Sequence, residues 1–152
     1  MSEPVQLTDA TARHSLPFLF AGQAQKEAFV NEALALLDAL LHPSIIEERA
    51  LPPATMQPGD TYLVGASAGG DWEGHDGSIA AWQGYHWAMA VPVPGMTVLD
   101  QSTGERIVFD AGWQRQAVPD TPAGGTTIDV EARAAIGDLV GALKNKGILP
   151  AN

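Results

Sequence analysis

The densest patch of chemically competent side chains lies between residues 65 and 77, GASAGGDWEGHDG. Asp71, Glu73, His75 and Asp76 crowd this stretch, and Gly65-Ala66-Ser67-Ala68-Gly69 matches the G-x-S-x-G elbow of serine hydrolases. Such an elbow needs a helix directly after the serine and a large parallel sheet carrying a later acid and histidine. Here the serine runs into Gly70-Asp71-Trp72, and a chain of 152 residues is too short for that fold. A glycosidase holds two carboxylates about 5 to 9.5 Å apart. Asp71, Glu73 and Asp76 are the acids nearest the aromatics, but a glycine-rich loop holds such geometry poorly. Calcium loops place acids at alternate positions, and the spacing here matches no EF-hand. His14, His42 and His86 stand apart in the sequence. No phosphate loop, dinucleotide fingerprint or zinc spacing occurs, and there is no cysteine for disulfide or thiol chemistry. The expectation is no catalytic residue, no metal ligand and no cofactor.

The aromatic residues point to recognition. All four tryptophans (72, 82, 87 and 113) and both tyrosines (62 and 85) fall between Pro58 and Gln114. Sugar rings have apolar faces that stack on Trp and Tyr, while neighbouring acids and amides bind their hydroxyls. Trp72, Trp82, Tyr85, His86 and Trp87, with Asp71 and Asp76, are therefore the candidate glycan-binding residues. Strand alternation would put Tyr85 and Trp87 on one face and His86 on the other. Trp72, in the loop, is expected to be the most exposed of the four tryptophans. The competing reading is an aromatic core, since a block of 57 residues buries only about 60% of its unfolded surface.

The elements that must position these residues are short strands. Apolar runs alternate with turn residues about every 8 to 12 positions from 58 to 114, as in a small all-β module. Strands are expected at Asp60–Val64, Ser78–Gln83, Tyr85–Val91, Met96–Leu99 and Arg106–Phe109, with a tight turn near Gly84 and a loop over Gly65–Gly77. Ser44–Arg49 is a further short strand candidate. IAAWQGYHW at 79–87 and IVFDAGW at 107–113 echo each other. The echo suggests two similar hairpins whose aromatics share one cluster.

Helices flank the module. Ala33, Leu34, Leu37, Leu40 and Leu41 recur at helical spacing, with Asn31 placed as N-cap, Glu32 in the first turn and Pro43 as the stop. Ala24–Val30 is either an earlier turn or part of one longer helix. Leu36 widens the apolar face, so this helix should pack on the module and on a second chain. Pro17, Phe18, Leu19 and Phe20 form a short apolar anchor after a polar, extended lead-in. Near the other end, Ile128–Leu143 is helical, with Asp129 as cap and Gly147 at a left-handed C′ position, Ile148 touching Leu143. Ala132, Ile136, Leu139 and Leu143 are spaced as a short heptad seam for oligomerisation. The organisation is α+β: an N-terminal arm and helix (1–50), a small antiparallel, sandwich- or barrel-like β module (51–116), a linker (117–125) and a C-terminal helix (126–152).

The formal net charge is −10, from 18 acids against 8 bases. With no basic stripe, nucleic acid is not an expected partner, and the acidity reads as solubility. No apolar run reaches the roughly 20 residues needed to span a bilayer. MSEPVQLTDATARHS has neither the basic nor the apolar region of a signal peptide.

Three strings carry a family resemblance: RHSLPFLFAGQAQKEAFVNEALALLDALLHP (13–43), PPATMQPGDTYLVGASAGGDWEGHDGSIAAWQGYHWAMAVPVPGMTVL (52–99) and IVFDAGW (107–113). The chain resembles the DUF2793-type family found in the structural clusters of tailed phages, prophages and gene transfer agents. The resemblance covers about Arg13 to Gln114. It implies a non-enzymatic fibre, spike or decoration of a phage-like particle, assembled in the bacterial cytoplasm. It also implies a homo-oligomer (a trimer), contacts with other capsid or tail proteins, and adhesion to host-surface polysaccharide. It supplies no catalytic residue. The alternatives are a polysaccharide-degrading hydrolase of such a particle and a connector with no ligand.

Overall fold

The computed structural model describes residues 10–14, 16, 18–19, 27–120, 122–125 and 129–150, with Glu27 and Ala28 described by backbone alone. The lead-in before Ala10, the anchor residues Pro17 and Phe20, the residues from Ala24 to Lys26 and Ile128 lie outside the described residues. The element order is α1 (Glu27–Leu41), β1 (Ser44–Ile45), β2 (Glu48–Arg49), β3 (Thr61–Val64), β4 (Ile79–Trp82), β5 (Trp87–Ala90), β6 (Thr97–Asp100), β7 (Glu105–Phe109), β8 (Trp113–Gln114) and α2 (Val130–Asn145).

The class is α+β: among the described residues, two helices flank two four-stranded sheets, and the sheets form no closed barrel. One sheet runs β1-β6-β7-β8 and the other β2-β3-β4-β5. The sheets are mixed rather than purely antiparallel, because β1 pairs parallel with β6 and β2 parallel with β3. The run Ser44–Arg49, expected as one strand, is two strands of two residues, one on each sheet. It is the crossing point of the fold. Its backbone bonds Ile46 N–H to Thr61 C=O at 2.8 Å on one side, while Gln101 N–H bonds Ile45 C=O at 2.9 Å on the other. The hairpins β3–β4, β4–β5 and β6–β7 are antiparallel.

All four residues of β3 are buried, and alternation explains how. Leu63 joins Ile45, Ile79, Ala90, Val98 and Ile107 in one core cluster, against which Leu36, Leu40, Met96 and Trp113 pack. Tyr62 and Val64 join Trp72 and Ala80 in a second cluster, completed by Ile46, Ala68, Trp87 and Met89. A strand buried on both faces reads as a continuous apolar run. What covers the second face is the 65–77 loop. It folds back through one 3-10 turn, Gly70–Trp72, and inserts Trp72, which is 0% exposed. The expectation of an exposed Trp72 is therefore corrected: the glycines of this loop let it lie flat on the sheet instead of standing away from it.

The two hairpins do not share one aromatic cluster either. Trp113 meets Phe109 edge to face, ring centres 5.3 Å apart, and donates its indole N–H to the Gly77 carbonyl at 2.8 Å. It packs against the Ile45 cluster, while Trp87 packs against the Trp72 cluster.

Helix α1 is one helix from Glu27, so Asn31 is interior and not its N-cap. Its buried side carries two polar residues among the apolar ones. Asn31 and Asp38 are buried, whereas Val30, Leu37 and Leu41 are exposed. The buried polar groups clamp the N-terminal arm. The Asn31 amide accepts from Leu19 N–H at 2.9 Å and donates to Leu19 C=O at 3.1 Å. The Asp38 carboxylate accepts from Thr11 Oγ1 at 2.7 Å and from the backbone N–H groups of Arg13 at 2.9 Å and His14 at 2.7 Å.

Helix α2 has the ends its sequence specifies. Asp129 accepts from Ala132 N–H at 2.8 Å. Gly147 has φ +66°, and Ile148 N–H bonds Leu143 C=O while Gly147 N–H bonds Lys144 C=O, the two bonds of a Schellman ending. Ile148 itself stays half exposed, and Leu149 is the residue that docks on the body.

Candidate functional site: an aromatic cleft on the β4–β5 hairpin

The β4–β5 hairpin is closed by a two-residue turn, Gly84-Tyr85, with Gln83 N–H on the His86 carbonyl at 2.9 Å. Gly84 has φ +92°, the sign a type II′ turn requires at its first central residue. The register sets Trp82 directly opposite Trp87, and their rings lie 5.0 Å apart. Tyr85 and His86 leave the strand at the turn, with rings 4.4 Å apart. Strand alternation therefore does not govern them, and His86 joins Tyr85 and Trp87 on the same cleft, contrary to expectation.

That cleft has a volume of about 310 Å³ and is lined by Asp71, His75, Trp82, Tyr85, His86, Trp87 and Met89. Of the seven candidate residues, Asp71, Trp82, Tyr85, His86 and Trp87 are brought together here. Trp72 lies behind them as a support, its ring 5.0 Å from Trp87 and 5.8 Å from Tyr62. Asp76 is not in the cleft. Its carboxylate accepts from the backbone N–H groups of Ser67 and Ala68, each at 3.0 Å, and so pins the loop that carries Trp72. Ser67 takes φ +60° within this loop.

Helix α1 completes the wall from behind. His86 Nε2 lies 2.9 Å from Glu32 Oε2, which joins the hairpin turn to the helix. Sequence spacing gave no sign of this pair, 54 positions apart. His75, in the sequence only a member of the acidic loop, and Met89, which carries no sequence signal, also line the cleft. Burial, and next the Glu32 charge, push the Tyr85 phenol above its ordinary 10.0, so it remains a neutral hydrogen-bond donor. Tyr85 is 49% exposed and forms the open lip. Two polar atoms of the wall, Trp87 Nε1 and His86 Nδ1, are buried with no hydrogen-bond partner among the described residues. Stacking faces, a donor phenol, a carboxylate and unmatched ring nitrogens suit a neutral polyhydroxylated ring.

A second constellation, unforeseen in the sequence, centres on Arg115. Its guanidinium bonds Glu105 Oε1 at 2.9 Å and Glu48 Oε2 at 3.1 Å, linking the two sheets. It also lies 2.8 Å from Asp100 Oδ2. The two groups form an ion pair. Asp100 and Glu105 are 1% and 2% exposed. Burial alone would raise the Asp100 carboxyl, but bonds from Ser102 and Arg115 outweigh it and hold the group below its ordinary 3.8. Burial would lower the Arg115 value, yet Asp100, Glu105 and Glu48 push it up. The role visible here is structural.

Among the described residues, no group of three His, Asp or Glu side chains is arranged to hold a metal ion, and no helix is long and apolar enough to cross a membrane.

The fold is a small α+β module with an aromatic cleft on one hairpin. Comparison with known proteins places it further. The family model described as "Protein of unknown function (DUF2793)" matches residues 30–114, more than half of the chain. The chain belongs to the DUF2793 family. Neither the curated proteins nor the solved structures contain a match.

Proposed function

We propose that this protein is a non-enzymatic component of a phage-like particle, a fibre or spike of the kind carried by gene transfer agents. In this reading it adheres to bacterial surface polysaccharide through the β4–β5 cleft. It is assembled in the bacterial cytoplasm, works as a homo-oligomer (a trimer) and contacts other capsid or tail proteins. The observation that carries the adhesion reading is the convergence of Trp82, Trp87 and Tyr85 on one cleft beside Asp71. Two of its walls also keep an unmatched ring nitrogen, Trp87 Nε1 and His86 Nδ1. A sugar ring stacks on the indole faces, and its hydroxyls answer the phenol, the carboxylate and, after a small side-chain rotation, these nitrogens.

The test is a pull-down of purified protein on intact cells and on isolated surface polysaccharide from related bacteria, repeated with Tyr85→Ala, with the supernatant assayed for released sugar. Saturable binding that Tyr85→Ala weakens by roughly tenfold or more, the loss of about 1.4 kcal/mol, supports the reading. Released sugar identifies a hydrolase instead. A folded oligomer that binds no surface is a connector, and the adhesion reading falls.

A further inference from the structure

A side-chain bond ties the β4–β5 turn to helix α1: His86 Nε2 lies 2.9 Å from Glu32 Oε2. The two side chains are 35% and 45% exposed, so solvent leaves the pair little to add to stability. Its consequence for the cleft is chemical. A carboxylate only accepts hydrogen bonds, so the proton between the two groups sits on Nε2. A neutral imidazole carries one ring proton. With that proton on Nε2, the other nitrogen, Nδ1, is a bare acceptor. The bond made by one ring nitrogen thus fixes the state of the other.

Nδ1 is buried and has no hydrogen-bond partner among the described residues, and the same holds for Nε1 of the adjoining Trp87. The indole N–H only donates. The cleft wall therefore holds one acceptor and one donor left unmatched, although buried polar groups are nearly always matched. A hydroxyl both donates and accepts, so one sugar hydroxyl, or two adjacent ones, answers both nitrogens. An ionised carboxylate or phosphodiester cannot donate to Nδ1. It would also meet the Asp71 carboxylate that lines the cleft and the Glu32 carboxylate behind it. Tyr85, its ring 4.4 Å from that of His86 and half exposed at the lip, is the side chain placed to move aside as a ligand reaches Nδ1.

We propose that Glu32 is a positioning residue of the cleft. It holds His86 in the Nε2–H tautomer, and the bare Nδ1 beside the Trp87 N–H then selects uncharged sugar units with a free hydroxyl over acidic ones. This rests on the sugar-binding reading of the cleft and adds the sense of its hydrogen bonds.

Long-range proton–nitrogen NMR spectra distinguish protonated from bare imidazole nitrogens. They would be recorded on the full-length protein at about pH 8, where a free imidazole is neutral, with the His86 signals assigned by their loss in His86→Asn. The expected spectrum has a protonated Nε2 and a bare Nδ1. Glu32→Lys replaces an acceptor by a group that only donates, so the His86 proton should move to Nδ1. Glu32→Gln, whose amide does both, should give a mixture. Neutral oligosaccharides released from bacterial surface polysaccharide should bind Glu32→Lys about tenfold more weakly than the wild type. Across the three proteins the apparent Kd should rise as the measured Nε2–H fraction falls, with little change in melting temperature. A purely structural tie would not produce that relation. The acidic oligosaccharide fraction should bind the wild type more weakly than the neutral one. A bare Nε2 in the wild type, or a tautomer indifferent to residue 32, would overturn the role of Glu32. Altered tautomers with unaltered neutral-sugar binding, or a preference for the acidic fraction, would overturn the selection. A wild-type protein that shows the expected tautomer and binds neither fraction would overturn the sugar-binding reading and the selection with it. The spectrum needs no sugar, so the two kinds of failure are told apart.

Discussion

Replacing Trp72 by alanine removes the side chain that holds the 65–77 loop against the outer face of β3 and β4. The indole is fully buried between Tyr62, Val64, Ala80 and Trp87. A tryptophan buries roughly 150–250 Å², which at about 25 cal/mol/Å² is about 4–6 kcal/mol. That figure is an upper bound, because an unfolded chain already hides part of this area. Core Trp→Ala substitutions cost about 3–5 kcal/mol, and that is the expected loss here. In a chain of this size each kcal/mol moves the melting temperature by about 2–4 °C, so the midpoint should fall by about 6–20 °C. Urea unfolding followed by circular dichroism and by tryptophan fluorescence measures both the loss and its cooperativity. A loss below about 1 kcal/mol, with the fold intact, would refute the reasoning. Trp72 would then be an exposed ligand-binding residue after all, and the loop would be free of the sheet.

Three other substitutions probe separate parts of the structure. Arg115→Met leaves the buried carboxylates of Asp100 and Glu105 without their cation and should cost about 3–5 kcal/mol in the same unfolding assay. It should also move acid unfolding. Asp100 is depressed below 3.8 in the folded state, so it contributes stability above that pH which is lost as pH falls through the folded value. Without the guanidinium, burial is less opposed, and the acid transition followed by circular dichroism should begin at higher pH. Asp38→Ala removes the acceptor of Thr11, Arg13 and His14; a loss of about 1.5–3 kcal/mol and faster tryptic cleavage after Arg13 are expected. Gly147→Ala forces a side chain into φ +66° and to 3.2 Å from the Gly104 carbonyl. It should cost about 1–2 kcal/mol and speed proteolytic release of α2.

What the sequence reveals depends on how local the cause is. The cap of α2 at Asp129 and its ending at Gly147 need only near neighbours, and both are as the sequence implies. The turn at Gly84 and the hairpins are legible for the same reason. The strands β1 and β2 carry no periodic signal at two residues each, and only pairing with β6 and β3 defines them. Asn31 looks like a cap because its type suits both a cap and an inward clamp; the partner at Leu19 decides. In the cleft, Trp82, Tyr85, His86 and Trp87 are found together because one hairpin carries them all. Trp72 and Asp76 are misplaced by the sequence because a glycine-rich loop gives no sign of which way it folds. Arg115 goes unseen because its acids, Glu48, Asp100 and Glu105, come from both sheets.

The most direct test of the proposed sugar-binding role of the cleft uses the indole N–H resonances of the four tryptophans, assigned by single Trp→Phe substitutions. The protein would be titrated with oligosaccharides released from bacterial surface polysaccharide. The account predicts saturable shifts of the Trp82 and Trp87 signals, weakened in Tyr85→Ala, with the Trp72 and Trp113 signals moving little. A titration that leaves all four unmoved, or that moves Trp113 alone, would contradict the assignment of the β4–β5 cleft as the sugar-binding site.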